Sequence, residues 1–243
     1  MSYLSHFAEL RNRLLFCFFI FFVSFFFYFY IADIVAKILS LPLYKILENS
    51  EQTRMIFTGL PEVFISNLKI SFFASFLTTF PILVLQFFLF ISPALYKKEK
   101  KFFLPIFCLI PFLFFLGVLF SYFILIPIVW NFFLSFQTLN TENFFSIELE
   151  SRYGEYMKLT MYLLFSGGVS FLFPIILMTL CKINILTVKI LKKQRKIFFI
   201  LILLFSAVLT PPDVISQLVI SLPLYLFYEF AILLIIFFEK DNK

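Results

Sequence analysis

The chain has 243 residues, 62% of them hydrophobic and only 14% charged, with a net charge of +6. A soluble domain carries about a quarter charged residues, so this composition excludes a water-solvated globular fold and makes the bilayer part of the solvent. The basic residues fall in short segments between apolar runs, which is the pattern of membrane topology and not of a nucleic-acid groove.

A spanning helix needs about 20 largely apolar residues. Six candidate spans occur, at about 14–34, 68–92, 102–127, 157–181, 197–211 and 217–238. The first, LLFCFFIFFVSFFFYFYIA, follows Arg11 and Arg13. It is longer than a signal-peptide core and no small-x-small cleavage site follows, so it reads as an uncleaved span. The next segment, about 35–67, is amphipathic and punctuated by prolines, as short helices lying on a membrane surface are. A second such outer segment is expected at about 128–156. The fifth span is short and the sixth borderline, separated by the corner TPPDVISQ, Thr210 to Gln217. Pro211 and Pro212 fix that turn and Asp213 keeps it in water.

Lys97, Lys98, Lys100 and Lys101 share alternate loops with Arg11, Arg13, the 182–196 basic cluster, Lys240 and Lys243. The positive-inside rule makes that side cytoplasmic and places both termini there. The expected fold is all-α: a single integral membrane domain over residues 1–243, with six transmembrane helices. Prolines within spans, among them Pro81, Pro105, Pro111, Pro174 and Pro223, should bend the bundle into a concave shape. Gly117, Gly167 and Gly168 allow close helix approach.

Cys17, Cys108 and Cys181 lie far apart in apolar runs, and His6 is the single histidine, so no metal or haem site is expected. The motifs of nucleotide binding, of Ser/His/Asp catalysis and of zinc hydrolysis are absent, which argues against an enzyme and implies no cofactor.

Three polar constellations remain. In HFAELRNRLL, Glu9 stands four residues before Arg13, an ordinary helix-surface pair or part of a binding site. In PALYKKEKKF, Glu99 stands alone among four lysines. Both carboxylates lie on the cytoplasmic side, and each could receive a guanidinium in a bidentate pair. Gln86, Gln217 and Glu229 lie within apolar runs. The glutamines serve either as glue between helices or as docking groups for partner helices. Glu229, a costly intramembrane carboxylate, is a functional candidate by default. A proton-coupled secondary transporter using Glu229 is the alternative reading, although no internal repeat supports it.

Taken together, SHFAELRNRLL, MIFTGLPEVF, PILVLQFFLFISPALYKKEKK, FFLGVLFSYFILIP, FSGGVSF and LLTPPDVISQ followed by LYLFYE resemble the TatC family, the receptor of the twin-arginine protein translocase. The resemblance implies a six-helix, cup-shaped bundle in a bacterial plasma membrane or an organelle's inner membrane. It implies binding of twin-arginine signal peptides by Glu9 and Glu99, with His6, Leu10, Arg11, Arg13, Pro93 and Leu95 shaping the site. Gln86, Thr210, Ser216 and Gln217 match positions that contact TatA-like or TatB-like single-span partners in a multi-copy complex driven by the protonmotive force. Asp213 and Glu229 fall at family spacing. One departure stands out: Leu172 occupies a position where the family commonly has a glutamate. Either Ser170, Thr179 or Glu229 supplies polarity there, or the cavity is drier.

Overall fold

The structure, a computed structural model, describes residues 3–47, 55–94, 96–136, 150, 152–183, 185–209 and 214–240. Nearly all of them are helical: α1 (Tyr3–Tyr30), α2 (Ala32–Leu47), α3 (Glu62–Ile91), α4 (Lys97–Phe120), α5 (Ile126–Leu134), α6 (Tyr153–Phe171), α7 (Phe173–Lys182), α8 (Val188–Lys193), α9 (Arg195–Leu209) and α10 (Val214–Lys240). By length and composition, His6–Tyr30, Glu62–Ile91, Phe103–Leu134 and Tyr153–Lys182 can each cross a membrane, and Gln217–Leu233 is a shorter apolar stretch. Helix α9, with 15 residues, is about 22 Å long at 1.5 Å per residue, less than the roughly 30 Å of a hydrocarbon core. Helix α10 has 27 residues, of which Gln217–Leu233 form its apolar stretch. The corner residues 210–213 lie outside the described residues.

The chain forms two compact units, one of Met1–Phe112 with Glu150–Met161 and one of Leu113–Leu149 with Tyr162–Lys243. In the first, α1 and α3 run antiparallel. His6 meets Phe90, Phe21 meets Phe72 and Phe29 meets Phe64, so residue numbers rise along one helix as they fall along the other. The buried side of α3 carries Ser71, Ser75 and Thr79. Each hydroxyl donates to the carbonyl four residues back, at 2.7, 2.6 and 2.7 Å. This satisfies polar groups where no water reaches and leaves only small side chains to pack.

An outer clasp closes the first unit. Glu62 Oε2 accepts from Thr58 N at 2.8 Å and from Gly59 N at 3.3 Å, while its Oε1 accepts from Gly154 N at 3.1 Å. Tyr153 N donates to Ile56 O at 2.9 Å, and the Arg152 guanidinium reaches Thr58 Oγ1 and Glu155. A Cβ at residue 154 would lie 2.9 Å from Glu62 Oε1, so a larger residue there would have to push that carboxylate aside. Tyr156 OH, from α6, donates to Leu39 O of α2 at 2.8 Å. The segment expected to lie on the surface at about 35–67 thus contains the helix α2 and one side of this clasp.

In the second unit the helix that begins as α4 passes through a wide π turn, Ser121–Leu125, and continues as α5 to Leu134. Pro127 has no N–H and its ring crowds the carbonyl of Phe123, four residues back. The chain relieves this by widening one turn, in which Ile126 N–H bonds to Ser121 O. Helical structure therefore extends past residue 128, where an outer segment was expected to begin, because IPIVWNFFL continues the apolar run. Beside the π turn, α4 and α6 meet through Gly117, Gly167 and Gly168. A Cβ at Gly167 would overlap Ser121 Oγ, and one at Gly168 would lie 2.6 Å from the Phe114 ring.

Gly167→Ala is expected to destabilise the protein by about 1–3 kcal/mol through overpacking. It should lower the melting temperature of the detergent-solubilised protein. Gly59→Ala, whose Cβ would meet nothing nearer than 3.9 Å, is the matched control and should melt like the parent chain.

Candidate functional site

The start of α1 and the end of α3 build a polar cluster on the side that the basic loops mark as cytoplasmic. Helical spacing puts His6, Glu9 and Arg13 on one face of α1, and the antiparallel register brings that face to Gln86 and Phe90. Glu9 Oε1 accepts two hydrogen bonds from Arg13, from Nε at 3.1 Å and from Nη2 at 2.7 Å. The third guanidinium arm, Nη1, donates to Gln86 Oε1 at 2.9 Å. The imidazole of His6 stacks on Phe90 with centroids 4.4 Å apart and its Nδ1 stands 3.9 Å from Glu9 Oε2. Among the described residues Oε2 accepts no hydrogen bond. The cluster borders an open cleft of about 570 Å³, lined by Ala8, Glu9, Asn12, Arg13, Phe16 and Gln86.

The remaining residues expected here are placed as follows. Leu10 is half-buried and Arg11 is exposed, while Pro93 is exposed in the short 3₁₀ turn Ser92–Ala94 that follows α3. Glu99 lies in the first turn of α4, its side chain outside the described residues, as is the whole of Leu95. Gln86, grouped in the sequence with the partner-docking positions, is hydrogen-bonded to Arg13. Phe90 was not singled out by the sequence, because its role depends on the α1–α3 register.

A second set of polar contacts lies in the other unit. Gln217 Nε2, on α10, donates to Leu203 O of α9 at 3.0 Å. Glu229 Oε2 pairs with Arg195 Nη2 at 2.9 Å, and its Oε1 receives Tyr225 OH at 3.4 Å. Tyr228, fully buried and stacked on Phe198, donates its hydroxyl to Leu191 O at 2.7 Å. Helices α8, α9 and α10 are thereby tied together at their basic end. Thr210, Pro211, Pro212 and Asp213 lie outside the described residues, as does the side chain of Ser216. Leu172 sits at the break between α6 and α7, where Pro174 starts the second helix. Ser170 donates to Ser166 O and Thr179 to Ile175 O, at 2.8 Å each. Both hydroxyls donate to their own helices and Glu229 is ion-paired with Arg195, so none of the three is a free carboxylate in place of the one that Leu172 omits.

Residues 5–223 match the family model described as Sec-independent protein translocase protein (TatC). The chain belongs to the TatC family. It is 37% identical over 241 residues to the TatC protein of Rickettsia prowazekii, covering 99% of this chain and 95% of that one. It is 30% identical to TatC of Escherichia coli K12 over 229 residues, covering 94% and 86% of the two chains. A TatC-like protein of Reclinomonas americana is 32% identical over 241 residues, covering 99% and 89%. A crystal structure of the twin-arginine translocase receptor TatC in detergent superposes with a TM-score of 0.75 at 33% identity, covering 94% of this chain and 98% of that chain. This TatC chain is therefore an all-α integral protein of an inner membrane, bacterial or organellar, and a component of Sec-independent protein translocation.

The Arg195–Glu229 pair is open to a direct test in this TatC protein. Its side chains are 49% and 31% exposed, so its coupling energy should be only about 0.2–1 kcal/mol. A double-mutant cycle of Arg195→Gln and Glu229→Gln, read by thermal melting in detergent, measures it. A coupling of zero would mean that the two charges act independently.

Proposed function

We propose that this TatC protein is the receptor and scaffold of its translocase, without catalytic chemistry of its own. Signal peptides carrying two consecutive arginines bind at its cytoplasmic face, where Glu9 and Glu99 each receive a guanidinium. The observation that carries this reading is the state of Glu9. Its carboxylate stands at an open cleft with Oε2 accepting no hydrogen bond among the described residues, although a carboxylate offers about four acceptor directions. A guanidinium is the side chain that fills such directions in a fixed planar fork. The description of a solved relative as a twin-arginine translocase receptor agrees with this assignment.

In the same reading, folded cargo crosses with the help of TatA-like or TatB-like single-span proteins, driven by the protonmotive force. We place their docking at the α9–α10 hairpin, around Gln217, with Ser216 next to it and Thr210 seven residues earlier in sequence. Gln217 already secures the hairpin through Leu203 O, so it presents a defined polar surface to a partner helix in lipid. The bond between Gln86 and Arg13 draws Gln86 to the arginine site instead. A proton-coupled carrier built on Glu229 is the weaker reading, because that carboxylate is paired with Arg195.

Glu9→Ala and Glu99→Ala are each expected to weaken capture of a twin-arginine signal peptide by about 10- to 100-fold, the worth of a charge-assisted hydrogen bond, with normal protein levels in the membrane. Pull-down from native membranes measures this, and unimpaired capture by both variants and by the double variant would remove the assignment. Gln217→Leu should reduce crosslinking to a single-span partner more than crosslinking to the signal peptide. Equal loss of both would reduce Gln217 to internal packing.

A further inference from the structure

We propose that Arg13 is a built-in competitor for the arginine site, and that displacing it sets the preference for arginine over lysine in the signal peptide. The inference rests on the reading of Glu9 as an arginine-binding group. Nε and Nη2 of Arg13 both bond to Oε1 of Glu9, at 3.1 and 2.7 Å, which uses both acceptor directions of that oxygen. Oε2 remains open toward His6. A fork-on-fork pair needs both carboxylate oxygens. An incoming guanidinium can therefore reach its full geometry only by taking Oε1 from Arg13.

Gln86 makes that exchange feasible. Its Oε1 holds Nη1 of Arg13 at 2.9 Å from a position 73 residues away in sequence. A simple i,i+4 pair on a helix surface has no need of such a partner. When Arg13 releases Glu9 it keeps the Gln86 bond, so the departing guanidinium is not left without an acceptor beside the apolar wall of Phe16. An ammonium can approach Oε2 as a point charge, but it does not supply two parallel N–H groups in a plane. It cannot match what Arg13 gives up at Oε1, and the resident arginine stays. The site thus excludes lysine by a threshold, and not only by a poorer fit.

The test uses the full chain in lipid nanodiscs and fluorescent signal peptides carrying either two arginines or two lysines, with affinities compared as a ratio. Arg13→Gln should raise twin-lysine affinity by about three- to fivefold relative to twin-arginine affinity, the scale of one partly exposed ion pair. Gln86→Leu, which removes the acceptor that receives Arg13, should lower twin-arginine affinity more than twin-lysine affinity. If Arg13→Gln weakens both peptides equally and leaves the ratio unchanged, Arg13 only shapes the site and the inference is overturned. Should that variant fail to accumulate, Arg13→Lys keeps the charge but not the double grip on Oε1. It should shift the ratio in the same direction, and an unchanged ratio again overturns the inference. Glu9→Gln separates the two levels. Lost twin-arginine binding together with an unmoved Arg13 ratio rejects the competitor alone, whereas normal binding by Glu9→Gln rejects the underlying site as well.

Discussion

In a hydrocarbon solvent no water is available to satisfy a polar group, so each one placed in an apolar helix has to find its partner within the protein. Most of the specific contacts in this chain follow from that constraint. Ser71, Ser75 and Thr79 return their hydroxyls to their own helix. Tyr228 reaches the carbonyl of Leu191 and Gln217 that of Leu203, and Glu229 takes the guanidinium of Arg195. The last three contacts also fix distances between α10 and its neighbours α8 and α9, so the chemistry that makes insertion tolerable also sets packing. Against this background the half-satisfied carboxylate of Glu9 stands apart. It lies near the start of α1, on the side that the basic loops mark as cytoplasmic, where water would bear the cost of an open acceptor.

The same constraint explains the form of the long helices. A proline inside a span removes one donor and crowds a carbonyl, and the chain answers locally. Before Pro127 it widens into a π turn, and before Pro174 it breaks for a single residue at Leu172 and restarts. Neither answer leaves the helix axis long enough for a loop to form, so the apolar runs remain usable as spans. The π turn also sets Ser121 against Gly167, where no side chain could be accommodated. Proline and glycine here act as a pair, the first altering the turn and the second making room for it.

The helices were legible in the sequence because a run of some 20 apolar residues is a signal that tertiary packing rarely overrides. Boundaries were less so. Pro127 reads equally as the end of one helix or as an early position of the next, and the structure uses it as the latter. Within the candidate site, the Glu9–Arg13 pair could be read from its spacing alone. Gln86 and Phe90 could not, since they join the cluster only through the antiparallel register of α1 and α3. Likewise, Glu229 looked like an isolated intramembrane charge because its partner lies 34 residues earlier, at the first position of α9. Patterns within one helix were visible. Patterns that require two helices to be aligned were not.

The site proposed for two arginines contains arginines of its own, which limits how recognition there would work. Glu9 is accompanied within four residues by Arg11 and Arg13, and His6 stands 3.9 Å from its open oxygen. The neighbourhood is not a negative well, and attraction by net charge would be weak and further screened over about 8–10 Å at physiological salt. A site of this kind gains little from raw electrostatics with any cationic peptide. What it offers is a set of acceptor directions on Glu9, positioned by the bonds from Arg13, which in turn donates to Gln86. In the proposed site, selection would rest on the match between planar donors and planar acceptors, the property in which arginine and lysine differ although their charges are the same.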